Sequence, residues 1–442
     1  MWLHSVMPAL SRLVTHSYYR LTVGGAKVPA EGPVLVVANH TNSLMDPALI
    51  VVAAGRTVRF MAKAPLFTYP GLGWLVRAVG SVPVYRTQDD PKGVRQNFDV
   101  FRDVHRALAE GYALGIFPEG TSHSASRLQP LKTGAARIAL GAARQIGSAF
   151  PIIPFGLVFR DRRTFRSAAR VIVGASPEWD DLVARGPEDK DAVRELTRRI
   201  ERSMRAVTLN LQDWSDAQLV QCAERVWHAE FGGEPGLGAE VERLRLTTDA
   251  LAHLRQGGDH RWRHVARALR GHDRLLSRLG LSPQSLHAQV SNEAAFGWML
   301  RRLPLLLLLP VAALGVALFY LPREMAGRLG AKLAIKEGED AVPTFRVLYG
   351  AVIFLLWFLA LAIVTGVVAG PLAGVLTFFA LPVVAFATLM VSEWRQLSWH
   401  EIRRFFVLRF HRDRVAHLRV RQRELAWQLR SLFETAGSGR EE

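Results

Sequence analysis

Between residues 33 and 174 the chain alternates short apolar runs with stretches that are apolar on one side only. The runs are rich in Val, Ile, Leu and Phe, as expected of buried β-strands. One intervening stretch repeats apolar residues at helical spacing through Phe98, Phe101 and Leu108. The apolar runs comprise residues 34–38, 58–61, 82–85, 113–117, 152–157 and 171–173. Strands that alternate with helices predict an α/β sheet domain.

After residue 187 the apolar residues follow three- and four-residue steps, which is typical of an amphipathic helix. The residues of this repeat are Val193, Leu196, Ile200, Met204, Val207 and Leu211. Further Arg- and Leu-rich segments of the same kind continue to about residue 280. Residues 181–300 are therefore predicted to form a helical region.

Apolar residues also recur at helical spacing near the amino terminus. They are Trp2, Val6, Leu10, Leu13 and Val14. Arg12 and His16 interrupt any continuous apolar core, which argues against a secretion signal. We expect either an interfacial membrane helix or a helix that packs on its own domain.

Three apolar runs, residues 303–321, 347–370 and 372–392, approach the length of about 20 residues that crosses a bilayer core. Arg and Lys flank the first run on both sides and follow the last. Because positive charge concentrates on the cytoplasmic side, three crossings would leave the Arg-rich tail outside. We therefore expect a hairpin of the second and third runs, with the first, broken by Pro304 and Pro310, re-entrant or interfacial. Three full crossings are the alternative.

Arg is interleaved with large apolar residues across the tail, residues 394–433. This pattern predicts a basic amphipathic helix on an anionic surface. The chain is thus expected to comprise four segments. They are an α/β domain (1–180), a helical region (181–300), membrane-embedded helices (301–392) and the basic tail (393–442).

Charge and cysteine content narrow the class of protein. The 442 residues include 56 Lys and Arg against 39 Asp and Glu, a formal net charge of +17. Such an excess indicates an anionic partner, and the apolar runs beside the basic stretches favour a lipid surface over nucleic acid. The one cysteine, Cys222, excludes an intramolecular disulfide and a Cys-rich metal site.

The first candidate site is the segment Asn39–Pro47, which comes directly after a predicted strand. A carboxylate that binds one ring nitrogen of a histidine holds the ring in one tautomer and suits it to remove a proton from an alcohol. Asp46 is placed to do this for His40. The alternative is that Asp46 and Pro47 merely begin a helix, as an N-cap followed by proline.

The second candidate site is the segment Gly115–Ser124, again a strand that runs into a loop with glycine and hydroxyl residues. Such a loop lets backbone N–H groups approach a phosphate, and Glu119 is suited to position an acceptor. Lys132 adds a cation near this turn. The alternative is an ordinary glycine turn after a strand.

Four blocks in this order resemble the phospholipid/glycerol acyltransferase superfamily. They are residues 39–47, 80–86, 117–124 and 153–157. Within the superfamily they are most similar to the branch of fungal-type glycerol-3-phosphate and dihydroxyacetone-phosphate acyltransferases and its bacterial relatives. The resemblance implies that residues 1–180 are an acyltransferase domain.

The resemblance also implies the chemistry. An acyl chain would pass from acyl-CoA or acyl carrier protein to a phosphoglycerol hydroxyl, without a metal or other cofactor. His40 would be the base and Asp46 its partner. The acceptor would be glycerol 3-phosphate, its 1-acyl product or another lysophospholipid. The residues expected to bind it are Arg86, Glu119, Gly120, Thr121 and Lys132.

A protein of this kind would be membrane-bound, in the bacterial inner membrane or its equivalent, with the catalytic domain facing the cytoplasm. The bilayer, the acyl-donor thioester and the acceptor would be its partners, without nucleic acid.

Two departures from the commonest family pattern stand out. Five residues rather than four separate His40 from Asp46, so the loop must bulge to keep them in contact. Ser122 stands where the third block usually has Arg. A phosphate contact would have to come from another cation, and the candidates are Arg86, Arg127, Lys132 and Arg166.

Two other classes of function remain open. A lipid hydrolase would pair His40 with Ser43 or Ser122, although the sequence has no G-x-S-x-G motif. A non-catalytic protein would bind anionic membranes through the Arg-rich tail.

Overall fold

The computed structural model describes residues 3–69, 72–85, 97–234, 236–256, 260–288, 290–335 and 338–438. The described chain divides into two compact units. Unit 1 comprises residues 1–212, 234–245 and 334–344, and unit 2 comprises residues 213–233, 246–333 and 345–442. The predicted boundary at residue 180 therefore falls inside unit 1, and the predicted tail is part of unit 2.

Unit 1 contains a seven-stranded sheet. Its strands are β1 (Tyr19–Gly25), β2 (Val34–Ala38), β3 (Val58–Lys63), β4 (Val82–Val84), β5 (Ala113–Ile116), β6 (Ile152–Phe159) and β7 (Ser167–Val173). The strand order is β1-β7-β6-β2-β5-β3-β4. Every pairing is parallel except the antiparallel pair β6–β7. The predicted α/β fold and its six predicted strands are confirmed, whereas β1 was not predicted.

The helices of unit 1 cover both faces of this sheet. They are α1 (Leu3–Tyr18), α2 (Met45–Ala54), α3 (Leu72–Ala78), α4 (Asn97–Ala109), α5 (Gly134–Ile146), α6 (Asp180–Val183) and α7 (Lys190–Val207). The largest apolar core joins one face of the sheet, including Leu35 and Val37 of β2, to α4, α5 and α7. All residues of β2 are buried, as expected of a central strand that is covered on both faces.

Helix α1 confirms the helical pattern predicted near the amino terminus, and it packs against α2. Helix α7 begins at an N-cap, Asp189, whose carboxylate accepts hydrogen bonds from the N–H groups of Asp191 and Ala192. Val193, Leu196, Ile200 and Met204 of the predicted repeat are buried against the sheet and α5. Leu211, the last residue of the repeat, follows the helix. Unit 1 also contains a short 3₁₀ helix, Ala64–Phe67, directly after β3.

The remaining described helices are α8 (Asp216–Phe231), α9 (Leu237–Gln256), α10 (Arg261–Leu279), α11 (Asn292–Leu306), α12 (Leu309–Ala334), α13 (Val342–Ala369), α14 (Pro371–Phe410) and α15 (Arg412–Ser438). Two further 3₁₀ helices span Gln284–His287 and Glu339–Ala341. Helix α9 begins in unit 1 and continues into unit 2, and α13 does the same. The 3₁₀ helix Glu339–Ala341 lies in unit 1, and α12 reaches unit 1 only with its last residue, Ala334. The other helices in this series lie within unit 2.

Three helices, α12, α13 and α14, are long and apolar enough to cross a membrane. The predicted break in the first apolar run lies at residues 307–308, between α11 and α12. The helix that follows has 26 residues, so its length does not distinguish it from a crossing helix. A re-entrant course for this run stays a prediction.

Part of the basic tail is buried inside unit 2. Leu425, Leu429 and Leu432 of α15 are buried in an apolar core with residues of α8 and α10. This part of the tail is therefore covered by the protein's own helices, whereas Phe406, Phe410 and Trp427 are exposed. Binding of the tail to an anionic surface stays a prediction. The Cys222 thiol lies in the same core, and burial raises its pKa to about 12.

Candidate active site

The candidate site lies at one edge of the sheet of unit 1. Strand β2 lies between β5 and β6 and is parallel to both, so the carboxyl ends of all three strands meet at this edge. The loops that follow these strands are residues 39–44, 117–133 and 160–166. Ligand sites of open α/β sheets commonly lie at this edge.

His40 and Asp46 form the contact predicted from the sequence. The Nδ1 atom of His40 lies 2.9 Å from Oδ2 of Asp46. Asp46 is fully buried, and the same oxygen accepts hydrogen bonds from the N–H groups of Thr41, at 2.8 Å, and Asn42, at 2.7 Å. Because the carboxylate is an acceptor, Nδ1 carries the proton of a neutral His40 ring and Nε2 is left basic.

Asp46 is not the N-cap of a helix. Helix α2 begins one residue earlier, at Met45, and the residue before it, Leu44, makes no side-chain cap. The carboxylate of Asp46 instead reaches back into the loop that carries His40. The interpretation of Asp46 and Pro47 as a simple helix start is therefore wrong.

A tight turn accommodates the extra residue between the pair. Ser43 has a φ of +43°, in the left-handed region that non-glycine residues rarely adopt. The N–H of Met45 donates to the carbonyl of Asn42 at 3.0 Å, and the N–H of Asp46 donates to the carbonyl of Ser43 at 3.3 Å. The loop folds back on itself, which brings Asp46 to His40 across five intervening residues.

The ring of His40 is held between its carboxylate partner and an aromatic plane. It stacks on Phe117 at a centroid distance of 3.9 Å and an interplanar angle of 12°. Phe60 stacks next to Phe117 at 5.8 Å, and Gly115 leaves the space that the Phe60 ring occupies. The His40 side chain is 19% exposed, and among the described residues no hydrogen bond engages its Nε2.

Glu119 joins the first and third blocks. One carboxylate oxygen accepts from the N–H of His40 at 2.8 Å, and the other accepts from Nε2 of His123 at 2.7 Å and from the N–H of Gln129 at 2.9 Å. The N–H of His123 in turn donates to the carbonyl of His40 at 3.0 Å. Both oxygens of Glu119 are thus used inside the protein, whereas the sequence predicted that this carboxylate faces an acceptor.

Gly120 and Lys132 lie together on the third-block loop. Gly120 has a φ of +78°, and a Cβ at this position would lie 2.5 Å from Nζ of Lys132. The absence of a side chain at Gly120 therefore permits both the turn and the course of the lysine. Thr121 is exposed and its hydroxyl donates to the carbonyl of Ser122. Arg86, the remaining predicted binding residue, lies outside the described residues.

The structure adds two residues that the sequence patterns did not indicate. Arg162, in the loop after β6, donates from Nη1 to the carbonyls of Thr41, at 2.9 Å, and His123, at 3.4 Å. The carbonyl of Arg162 accepts from the hydroxyl of Tyr19, which itself accepts from Nδ2 of Asn42 at 2.6 Å. Burial raises the pKa of Tyr19 well above its usual value. No sequence signal pointed to Arg162, since its role depends on how the loops meet.

Of the other predicted cations, Arg166 donates to the carbonyls of His16 and Ser17 at the end of α1, and Arg127 is exposed.

Within the described ranges there is no group of three or more His, Cys, Asp and Glu side chains that could hold a metal ion.

The known proteins that this chain resembles are named as acyltransferases. Glycerol-3-phosphate O-acyltransferase 1 of Saccharomyces cerevisiae is 24% identical over 79% of this chain and 59% of its own length, so this chain spans less than two thirds of that relative. A lyso-ornithine lipid O-acyltransferase of Rhizobium meliloti is 36% identical over 28% of this chain and 38% of its own length.

Among solved structures, the 1-acyl-sn-glycerophosphate acyltransferase PlsC of Thermotoga maritima overlaps 47% of this chain and 78% of that chain. The identity is 21% and the TM-score 0.35, an overlap too loose to carry an argument. A family model described as acyltransferase matches residues 20–158. The matched segment contains His40, Asp46 and the loop of residues 117–133.

Proposed function

We propose that this protein is an O-acyltransferase of glycerolipid synthesis, which moves a fatty acyl chain from acyl-CoA or acyl carrier protein to a hydroxyl of a phosphoglycerol acceptor. The contact of 2.9 Å between His40 and Asp46, inside a segment of the acyltransferase family, carries the proposal. The first acceptor to consider is glycerol 3-phosphate, which the name of the yeast relative states for that protein. Its 1-acyl product is the second.

His40 acts as the base in this reaction. Its Nε2 takes the proton of the acceptor hydroxyl while the oxygen attacks the carbonyl carbon of the thioester. The buried carboxylate of Asp46 stabilises the imidazolium that forms. The tetrahedral intermediate then expels the thiolate, which takes the proton back from Nε2. A C–O bond replaces a C–S bond, and the products are an ester and a free thiol.

The developing oxyanion needs N–H donors that are not already used. The N–H groups of His40, Thr41 and Asn42 donate to the carboxylates of Glu119 and Asp46. In the described part of the chain, the N–H groups of Thr121 and Ser122 have no such acceptor, and they follow Gly120 in the loop that is tied to His40. We assign the oxyanion contact to these two groups.

Lys132 and Gly120 support phosphate binding on the acceptor side. The lysine is exposed and crosses a glycine loop, an arrangement that offers both a cation and close backbone approach to a phosphate. Thr121 adds an exposed hydroxyl on the same loop. Arg86 keeps the acceptor role that the resemblance implies.

The three long apolar helices support a membrane location, where the acylated lipid product dissolves. Excess Arg around these helices favours a catalytic domain on the cytoplasmic side.

The test is an acyl-transfer assay of the purified full chain with acyl-CoA and either glycerol 3-phosphate or its 1-acyl form. His40→Ala is expected to lower kcat by about 10²- to 10⁴-fold, because it removes the general base. His264→Ala, at an exposed position of α10, is the matched control and should keep full activity. Full activity of His40→Ala would refute the mechanism. Fatty acid release without any acceptor would instead indicate a hydrolase.

A further inference from the structure

Arg162 contacts the two loops that carry the first and third blocks. Its Nη1 atom donates to two neutral carbonyls, those of Thr41 and His123. Thr41 follows the proposed base directly, and His123 lies in the loop of residues 117–133, which also carries Gly120 and Thr121. The half-buried guanidinium therefore lies where the first and third blocks meet.

The positive charge of Arg162 is not neutralised by the described residues around it. No carboxylate of those residues forms an ion pair with it, and its Nε and Nη2 have no hydrogen bond to them. The neighbouring carboxylate of Asp161 is turned to its own loop, where it accepts from the N–H of Arg163 at 2.9 Å and from the hydroxyl of Thr164 at 2.6 Å. Those hydrogen bonds, that of Thr164 first, lower the pKa of Asp161.

The backbone of Arg162 is fixed independently of its side chain. Its carbonyl accepts from Tyr19, whose hydroxyl holds Asn42. The loop thus presents the guanidinium at the site without help from a charged neighbour. An arginine whose Nε and Nη2 are both open matches the geometry of a phosphate, which accepts two parallel N–H bonds.

We infer that Arg162 is the guanidinium that binds the phosphate of the acceptor, in the place left open by Ser122. This inference rests on the proposed function. Lys132 approaches the same loop from Gly120, so two cations flank residues 121–123. The carbonyls of Thr41 and His123 occupy only Nη1, so Nε and Nη2 are the groups left to bind the phosphate.

The test compares three variants in the acyl-transfer assay. Arg162→Met keeps the apolar stem and removes the charge, and Arg162→Lys keeps the charge and removes the planar fork. Arg160→Met is the matched control, because Arg160 is exposed and its N–H bond to the carbonyl of Ala168 does not involve the side chain. The acceptors are glycerol 3-phosphate and glycerol, and inorganic phosphate is added as a competing probe.

Arg162→Met should raise KM for glycerol 3-phosphate by about 10- to 100-fold, the usual size of a lost hydrogen bond to a charged group. Its kcat should change far less, and inhibition by inorganic phosphate should weaken in parallel. Arg162→Lys should show an intermediate KM, and Arg160→Met none of these effects. With glycerol, the rate should not distinguish Arg162→Met from the wild type.

An unchanged KM in Arg162→Met, or an equal loss of kcat with both acceptors, would overturn the inference. If Arg162→Met does not fold, the KM of Arg162→Lys decides, and a wild-type value there would also overturn it. A wild-type protein that acylates neither glycerol 3-phosphate nor its 1-acyl form refutes the proposed function itself. Wild-type transfer to either acceptor with no effect of Arg162 refutes only this inference.

Discussion

Replacing Gly120 with alanine should impair acceptor binding by displacing Lys132. At a φ of +78° an alanine Cβ would lie 2.5 Å from Nζ, 2.7 Å from Cδ and 2.7 Å from Cε of the lysine. Real Cβ atoms do not approach other atoms so closely, so the flexible side chain of Lys132 must move away. A lost contact between a cation and a phosphate of about 1–2 kcal/mol would raise KM for the acceptor by about 5- to 30-fold.

The backbone cost of the same substitution can be measured separately. Gly32 has a φ of +81°, close to that of Gly120, but a Cβ there would meet nothing within 4 Å. It precedes β2, at the edge of the sheet opposite the candidate site. In both variants an alanine in the left-handed region costs about 1–2 kcal/mol, which lowers Tm by about 2–8 °C.

The two variants together give a clear outcome. Thermal unfolding of the purified chain should show similar losses of Tm for Gly120→Ala and Gly32→Ala. Only Gly120→Ala should raise KM for the acceptor, with kcat less affected. The proposal that Lys132 binds the acceptor phosphate is refuted if Gly32→Ala raises KM as much, or if Gly120→Ala leaves KM at the wild-type value.

Two further predictions concern stability. Burial lowers the pKa of His105, so protonation of this residue in the unfolded chain below about pH 6.5 destabilises the fold. The Tm of His105→Leu should therefore fall less between pH 7 and pH 5 than the Tm of the wild type. Parallel curves of Tm against pH would contradict this. Leu425→Asp buries a charge in unit 2 and should lower the free energy of unfolding by about 3–5 kcal/mol, measured by thermal unfolding with circular dichroism. Val420 is 56% exposed on the same helix, so Val420→Asp should leave the free energy of unfolding nearly unchanged. Equal losses would show that α15 is not packed as described.

The sequence predicted the sheet well where a strand is a continuous apolar run. It did not predict β1, because Tyr19–Gly25 follows a helical pattern directly and only part of it is apolar. The packing partners of α15 could not be predicted for a different reason. A helix that alternates Arg with Leu has the same pattern whether its apolar face meets a membrane or another helix. What covers that face is decided by the tertiary packing of α8 and α10.

The candidate site was predictable to the extent that one loop carries it. The contact of His40 with Asp46 lies within a single loop and the helix after it, so the spacing and the residue types sufficed. Arg162 lies 121 residues after Thr41 in the sequence. Its contact exists because β6 pairs with β2, a pairing that no local pattern encodes. One carboxylate oxygen of Glu119 likewise finds its partner, the N–H of His40, only when the two loops come together.

The position of β1 has a consequence for the order in which the chain acquires its structure during synthesis. Its one partner among the described strands is β7, in register from Tyr19 with Ser167 to Gly25 with Val173. A nascent chain therefore exposes β1 first and must make all of residues 26–166 before β7 emerges. Until then Tyr19 has no strand to hold it near Asn42. The loop that carries His40 is thus completed late, and a chain that ends before β7 should lack a finished candidate site although both His40 and Asp46 are present.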